Sequence, residues 1–122
     1  MRMHAIDVNG RHVAVVGGGR SGLAASTLVV RRGGRVTLID AKPDLAERDA
    51  LDAIGATLQL GPMPADVPED ATLVVVSPGV RTDAPLLRAA RTRGVHVIGE
   101  LEFASSFLAG PVIAITGSKG KS

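Results

Sequence analysis

Three glycines at Gly17-x-Gly19-x-x-Gly22, set directly behind the apolar run Val13-Ala-Val-Val16, are the residues of this 122-residue chain best suited to chemistry. Glycine admits positive φ and lets a ligand approach bare backbone. The first N–H groups of a following helix are unpaired and carry partial positive charge, so a strand, a glycine turn and a helix start together make a cradle for a diphosphate. Asp40 closes the next apolar run, which delivers it to the same edge as the glycine turn. A carboxylate placed there accepts hydrogen bonds from the ribose hydroxyls of a nucleotide. The alternative is a plain tight turn with no ligand.

A second phosphate signal lies at Gly117-x-x-Gly120-Lys121-Ser122, behind the apolar residues Val112 to Ile115. In a P-loop the backbone N–H groups wrap a triphosphate, the lysine reaches its outer phosphates and the serine hydroxyl helps hold magnesium. The generic pattern wants a glycine two positions ahead of Gly117, where Ile115 stands. A flexible basic tail is the other reading of these seven residues.

The elements that must position these groups follow from hydrophobic periodicity and turn residues. His12–Val16 is expected as a first strand and 22–32 as a helix, with Leu23, Thr27 and Val30, or Ala24 and Leu28, on its inner face. Gly33-Gly34 stops that helix, and Arg35–Asp40 forms the second strand. Residues 45–54 should be a helix closed by Gly55 as a left-handed cap, and 56–60 a third strand. The stretch 61–70 carries three prolines and is irregular; 73–76 is a buried fourth strand ending in Ser77-Pro78-Gly79. Thr82 or Asp83 can cap a helix with Pro85 in its first turn and Leu86, Leu87 and Ala90 inward, ended by Gly94. A fifth strand at 95–98, a helix over Glu100–Leu108 burying Leu101, Ala104, Phe107 and Leu108, and a sixth strand from Val112 complete the order. Strands alternating with helices predict an α/β fold, a Rossmann-like doubly wound parallel sheet of about five strands flanked by helices. We place that domain at residues 1–110 and assign 111–122 to the first strand and phosphate loop of a second.

Composition narrows the function classes. Hydrophobic residues make up 45% of the chain but only two are aromatic, so the core must be Val, Leu, Ile and Ala, as suits a parallel sheet covered on both faces. Absence of cysteine removes disulfides and thiolate metal sites. Residues 1–11 lack a signal-peptide run and no segment has membrane-spanning length, which predicts a cytoplasmic protein with no membrane partner. Fourteen Lys and Arg against twelve Asp and Glu leave a net charge of +2. Arg88, Arg91 and Arg93 come without aromatic residues for stacking, so they read as a solvated helix face, and no nucleic-acid partner is expected.

The ordered motifs Val-Val-Gly-Gly-Gly-Arg-Ser-Gly-Leu-Ala, Leu-Ile-Asp40-Ala-Lys42, Val-Ser77-Pro78-Gly79-Val, Val-Ile-Gly99-Glu100-Leu-Glu102 and Ala-Ile-Thr116-Gly-Ser-Lys-Gly-Lys-Ser122 resemble the Mur ligases from about His12 to Ser122. The similarity is greatest to the members that add D-glutamate, and the family's shorter phosphate loop accounts for the missing Walker glycine. The resemblance implies an N-terminal domain that binds the UDP end of UDP-N-acetylmuramoyl-L-alanine, a central domain for ATP and Mg2+, and a C-terminal domain that brings D-glutamate. By that resemblance, Gly19 and the backbone of Arg20, Ser21 and Gly22 hold the diphosphate with the Ser21 hydroxyl. Asp40, Ala41 and Lys42 face uracil, and Gly79 approaches base or ribose. Thr116, Gly117, Ser118, Lys119, Gly120, Lys121 and Ser122 would bind ATP, with Lys121 catalytic and Ser122 a magnesium ligand. Lys119 and Ala41 depart from the family's usual Asn and hydroxyl residue. The implied reaction is ATP-dependent amide formation in peptidoglycan precursor synthesis by a monomer, and the fragment ending at Ser122 is expected to bind without catalysing. A nicotinamide-binding Rossmann module, in which Asp40 would take ribose hydroxyls, and a nucleotide-free scaffold stay open as alternatives.

Overall fold

The computed structural model describes residues 6–108. Five strands and four helices alternate: β1 (His12–Val16), α1 (Gly19–Arg31), β2 (Arg35–Asp40), α2 (Arg48–Ala53), β3 (Thr57–Leu60), β4 (Ala71–Val76), α3 (Pro85–Thr92), β5 (His96–Gly99) and α4 (Glu100–Leu108). The strands form one sheet in the order β3-β2-β1-β4-β5, and each pairing is parallel. This is the doubly wound α/β arrangement expected from the sequence.

The continuous apolar runs divide their side chains between two cores. Val13, Val15, Leu38, Leu73 and Val75 face the layer of α1, α2 and α4, while Ala14, Val16, Ile39, Val74 and Val76 face α3. Both faces of the central strands are therefore dry, which is why these strands show no apolar–polar alternation. One irregularity interrupts the ladder: His12 pairs with Ala71 but Val13 pairs with Leu73, so Thr72 bulges out. Arg11 compensates, donating from Nε to Thr72 Oγ1 at 2.8 Å and from Nη2 to the Thr72 carbonyl at 2.9 Å.

Three packing expectations are corrected. The buried face of α1 is Gly22, Ala25, Ser26 and Val29; Leu23, Leu28 and Val30 only flank that cluster. A helix springing straight from a strand end must lie close to the sheet, so small residues take its inner face and the larger ones fan to the sides. Helix α2 begins at Arg48 because residues 45–47 form a turn, closed by Arg48 N–H donating to the Leu45 carbonyl, that tucks Leu45 under the glycine loop. In α4 the anchor is Phe103, fully buried and edge-on to Phe107 at 5.0 Å, while Leu101 is 76% exposed. The 103/107 arc, helped by Arg32 over the Phe107 ring at 4.9 Å, prevails over the arc through Leu101 because the aromatic ring buries more area.

Both Pro85 in the first turn of α3 and the inward Leu86, Leu87 and Ala90 are as expected. The residue flanking that helix is Ala84, with no side-chain cap from Thr82 or Asp83. Asp83 is instead held by Arg81 through two hydrogen bonds of 3.0 and 3.1 Å. Among the described residues no helix is long and apolar enough to cross a membrane.

Candidate functional site

Since β2 and β3 lie to one side of β1 and β4 and β5 to the other, the chain reverses its winding between β1 and β4. In such sheets a crevice opens outside the carboxyl ends of the strands at that reversal. A cleft of about 630 Å³ sits there, lined by residues of the glycine loop, the end of β2, the 77–81 loop and Met63.

The loops that form the cleft are extensions of the sheet. Gly17 N–H donates to the Ile39 carbonyl at 2.8 Å and Ser77 N–H to the Val16 carbonyl at 2.9 Å, carrying the hydrogen-bond ladder one step past the strand ends. Gly17 has φ +102°, and a Cβ on it would fall 2.7 Å from Ser77 Cβ. Ser77, almost fully buried, donates its Oγ to the Gly17 carbonyl at 3.2 Å and stands 3.4 Å from Ser21 Oγ. At Gly22 a Cβ would lie against the Gly17 carbonyl oxygen, so only glycine lets α1 fold back this tightly on its own loop. Among the described residues no side chain caps α1, and no acidic residue occupies its first turn. Its leading N–H groups and dipole are left to attract an anion.

Asp40 couples the two sides. Its Oδ2 accepts from Gly18 N–H at 2.6 Å and its Oδ1 from Lys42 N–H at 2.8 Å. The carboxylate is thus a brace between the glycine loop and the 40–42 turn, besides being a group on the cleft wall. Each oxygen keeps a lone pair for a further donor.

Of the residues singled out in the sequence, Gly17, Ser21, Asp40, Ala41, Ser77, Pro78 and Gly79 line the cleft. Gly19, Arg20, Gly22 and Lys42 are not among its walls: Gly19 opens to free space, Arg20 and Lys42 are exposed and Gly22 is buried behind the turn. Beyond its two chain neighbours, no atom of the described residues would lie within 4 Å of a Cβ at Gly79, so the surrounding packing does not demand glycine there. The glycine loop is open to the cleft, which removes the condition favouring a nucleotide-free scaffold. Thr116, Gly117, Ser118, Lys119, Gly120, Lys121 and Ser122, with the strand expected before them, lie outside the described residues.

Sequence reasoning missed Met63, Val80, Arg81 and Ala84, which also line the cleft. Met63 sits in the proline-rich stretch read only as irregular, and nothing in its spacing marks it. Ser77 was visible as part of Ser-Pro-Gly, but its bond to the Gly17 carbonyl was not. Glu100 and Glu102 lie on α4, apart from the cleft, and no group of acidic and His residues able to hold a metal ion occurs among the described residues. Arg93 is engaged with Asp66 at 3.0 Å and Arg91 with the Thr82 carbonyl at 2.8 Å; both tie α3 to its neighbouring loops.

At the opposite edge of the sheet a second polar group braces the fold. His12 Nδ1 lies 2.6 Å from Asp70 Oδ1 and Nε2 lies 2.7 Å from Thr37 Oγ1, while Arg35 donates to Asp70 Oδ2 at 3.0 Å. Hydrogen bonds from His12 and then Arg35 pull the Asp70 carboxyl down to about 2.

Comparison with known proteins extends this picture. Residues 11–99 match the family described as Mur ligase MurD-like, N-terminal domain. The chain is 43% identical over 119 residues to the UDP-N-acetylmuramoylalanine–D-glutamate ligase of Koribacter versatilis, covering 95% of this chain and 26% of that protein. It is 46% identical to the ligases of the same name from Pelotomaculum thermopropionicum, with 94% and 26% covered, and Anaeromyxobacter dehalogenans, with 98% and 27% covered. The chain therefore spans about a quarter of the length of these relatives. Nothing in these matches favours the nicotinamide-binding alternative. The glycine loop, the Asp40 brace and the family match over most of its length together establish that this chain belongs to the MurD-like Mur ligases, carrying their N-terminal domain.

Proposed function

We propose that this domain holds the uridine diphosphate end of UDP-N-acetylmuramoyl-L-alanine for an ATP-dependent ligase that joins D-glutamate to it in peptidoglycan precursor synthesis. The observation that carries the reading is the uncapped N-terminus of α1 opening onto a cleft at the reversal of strand order. In this reading Gly19 and the main chain of Arg20, Ser21 and Gly22 face the diphosphate, with Ser21 Oγ as a further donor. Asp40 takes the uracil N3–H on a lone pair that its two backbone partners leave, the segment at Ala41 and Lys42 meets the base carbonyls, and Gly79 leaves room for ribose or base.

ATP would phosphorylate the substrate carboxylate and the amine of D-glutamate would then displace phosphate, forming the amide. The residues assigned to ATP and Mg2+, Thr116 to Ser122 with Lys121 catalytic and Ser122 on the metal, are supported by the resemblance of that loop. A cytoplasmic monomer is the setting that fits this chemistry.

Titrating the chain with UDP and, separately, with NAD while following backbone amide shifts tests the reading. UDP should move the amides of residues 18–22 and 40–42. Saturation by NAD with no response to UDP would overturn it.

A further inference from the structure

Resting on the uridine-diphosphate reading, we infer that Met63 is the residue that covers the face of the nucleobase and sets how tightly the uridine end is held. Met63 is 39% exposed, one of two large hydrophobic side chains left in solvent among the described residues, and it lines the same cleft as Asp40 and Ala41. Leu101, the other, lies on α4 away from that cleft. An isolated exposed apolar residue needs no explanation by itself; one on the wall of a ligand cleft does.

The chain around Met63 holds it in place. Gly61 N–H is shared between the carbonyls of Asp40 at 3.0 Å and Lys42 at 3.1 Å, so the loop starts from the segment that braces the glycine turn. Pro62 and Pro64 then flank Met63. The second proline biases Met63 toward extended backbone and the first fixes its own φ, which removes much of the freedom an exposed loop residue would otherwise have.

Chemistry points to the same side chain. A planar base is usually gripped on its face by an aromatic ring, but the sequence has no Trp or Tyr and two Phe. Both rings lie in α4, pairing with each other, and no aromatic residue is among the walls of the cleft. A thioether is the most polarisable apolar group left, and sulfur makes favourable contacts with π-systems. Edge recognition at Asp40 and face contact at Met63 then divide the work on one base.

The test uses the 122-residue chain labelled at the methionine methyl carbons, with Met63→Ala, Met63→Leu and inorganic pyrophosphate as probes. There are three methionines, and the signal lost in Met63→Leu identifies Met63. UDP should shift that methyl signal and weaken about two- to tenfold in Met63→Ala but less than about twofold in Met63→Leu, with pyrophosphate affinity unchanged in both. If UDP shifts the Ser21 amide while the Met63 methyl stays still and Met63→Ala binds UDP like the parent, the inference fails and the uridine-diphosphate reading survives. Equal weakening of UDP and pyrophosphate in Met63→Ala also overturns it, because the loop would then be acting only as structural support. Absence of any UDP response sinks both.

Discussion

Replacing Asp40 by Asn asks whether one carboxylate braces the site. In the parent, Oδ2 accepts from Gly18 N–H at 2.6 Å and Oδ1 from Lys42 N–H at 2.8 Å. Asn is nearly isosteric but offers one acceptor, so one of the two backbone donors must face an NH2 group instead. Hydrogen bonds to a charged acceptor contribute about 1.5–3 kcal/mol each, and Asp40 is half-buried, which places the loss of one near the lower end, about 1.5 kcal/mol. For a domain of this size that lowers the midpoint of thermal unfolding by about 5–8 °C. Circular dichroism melting gives the midpoint, and amide hydrogen exchange resolved at Gly18 and Lys42 shows which end of the brace has opened. Asp40→Ala vacates both positions and should in addition weaken UDP by about 1–3 kcal/mol. An Asn variant that melts with the parent and exchanges Gly18 no faster would refute the brace; an Ala variant with parental UDP affinity would remove Asp40 from the uracil site.

Further outcomes follow from the packing. Gly22→Ala drives a methyl against the Gly17 carbonyl and should cost about 1–3 kcal/mol, with UDP affinity falling in parallel when both are measured by titration calorimetry and denaturant unfolding. Phe103→Ala should destabilise by about 3–5 kcal/mol, against less than about 0.5 kcal/mol for Leu101→Ala, in urea unfolding curves; a reversed order would contradict the packing of α4. Asp70 titrates lower in the folded chain than when unfolded, so its contribution is complete above the ordinary carboxylate range near pH 4 and disappears as the pH falls toward about 2. Asp70→Asn should flatten the acid limb of a melting-temperature-against-pH profile in that window and leave it unchanged at neutral pH in slope.

Much of this was legible because local signals agreed. His12–Val16 and Arg35–Asp40 begin and end where the apolar runs do, since glycine and charge bracket them, and Gly17, Asp40 and Ser77 fall at strand ends that parallel winding must bring to one edge. The faces of α1 and α4 were not legible. Each carries apolar residues over a wide arc, and the choice among arcs is made by the partner: the sheet surface admits Ala25 and Ser26 where sequence alone prefers Leu23, and the pocket beside α1 takes Phe103 where spacing suggests Leu101. Bonds across long separations, Ser77 to Gly17 and Asp40 to Gly18, leave no periodic trace. Met63 is hidden for the opposite reason, because a proline-rich loop has no regular spacing from which an orientation can be read.

The continuation of the ladder beyond β1, β2 and β4 has a dimensional result. Gly17 and Ser77 hang from adjacent rungs, and neighbouring strands stand about 4.8 Å apart, so the floor of the crevice is roughly 10 Å across by peptide geometry alone. Substitutions on its walls can change which ligand is preferred, yet the gauge of the opening is inherited from the main chain and stays constant as side chains drift.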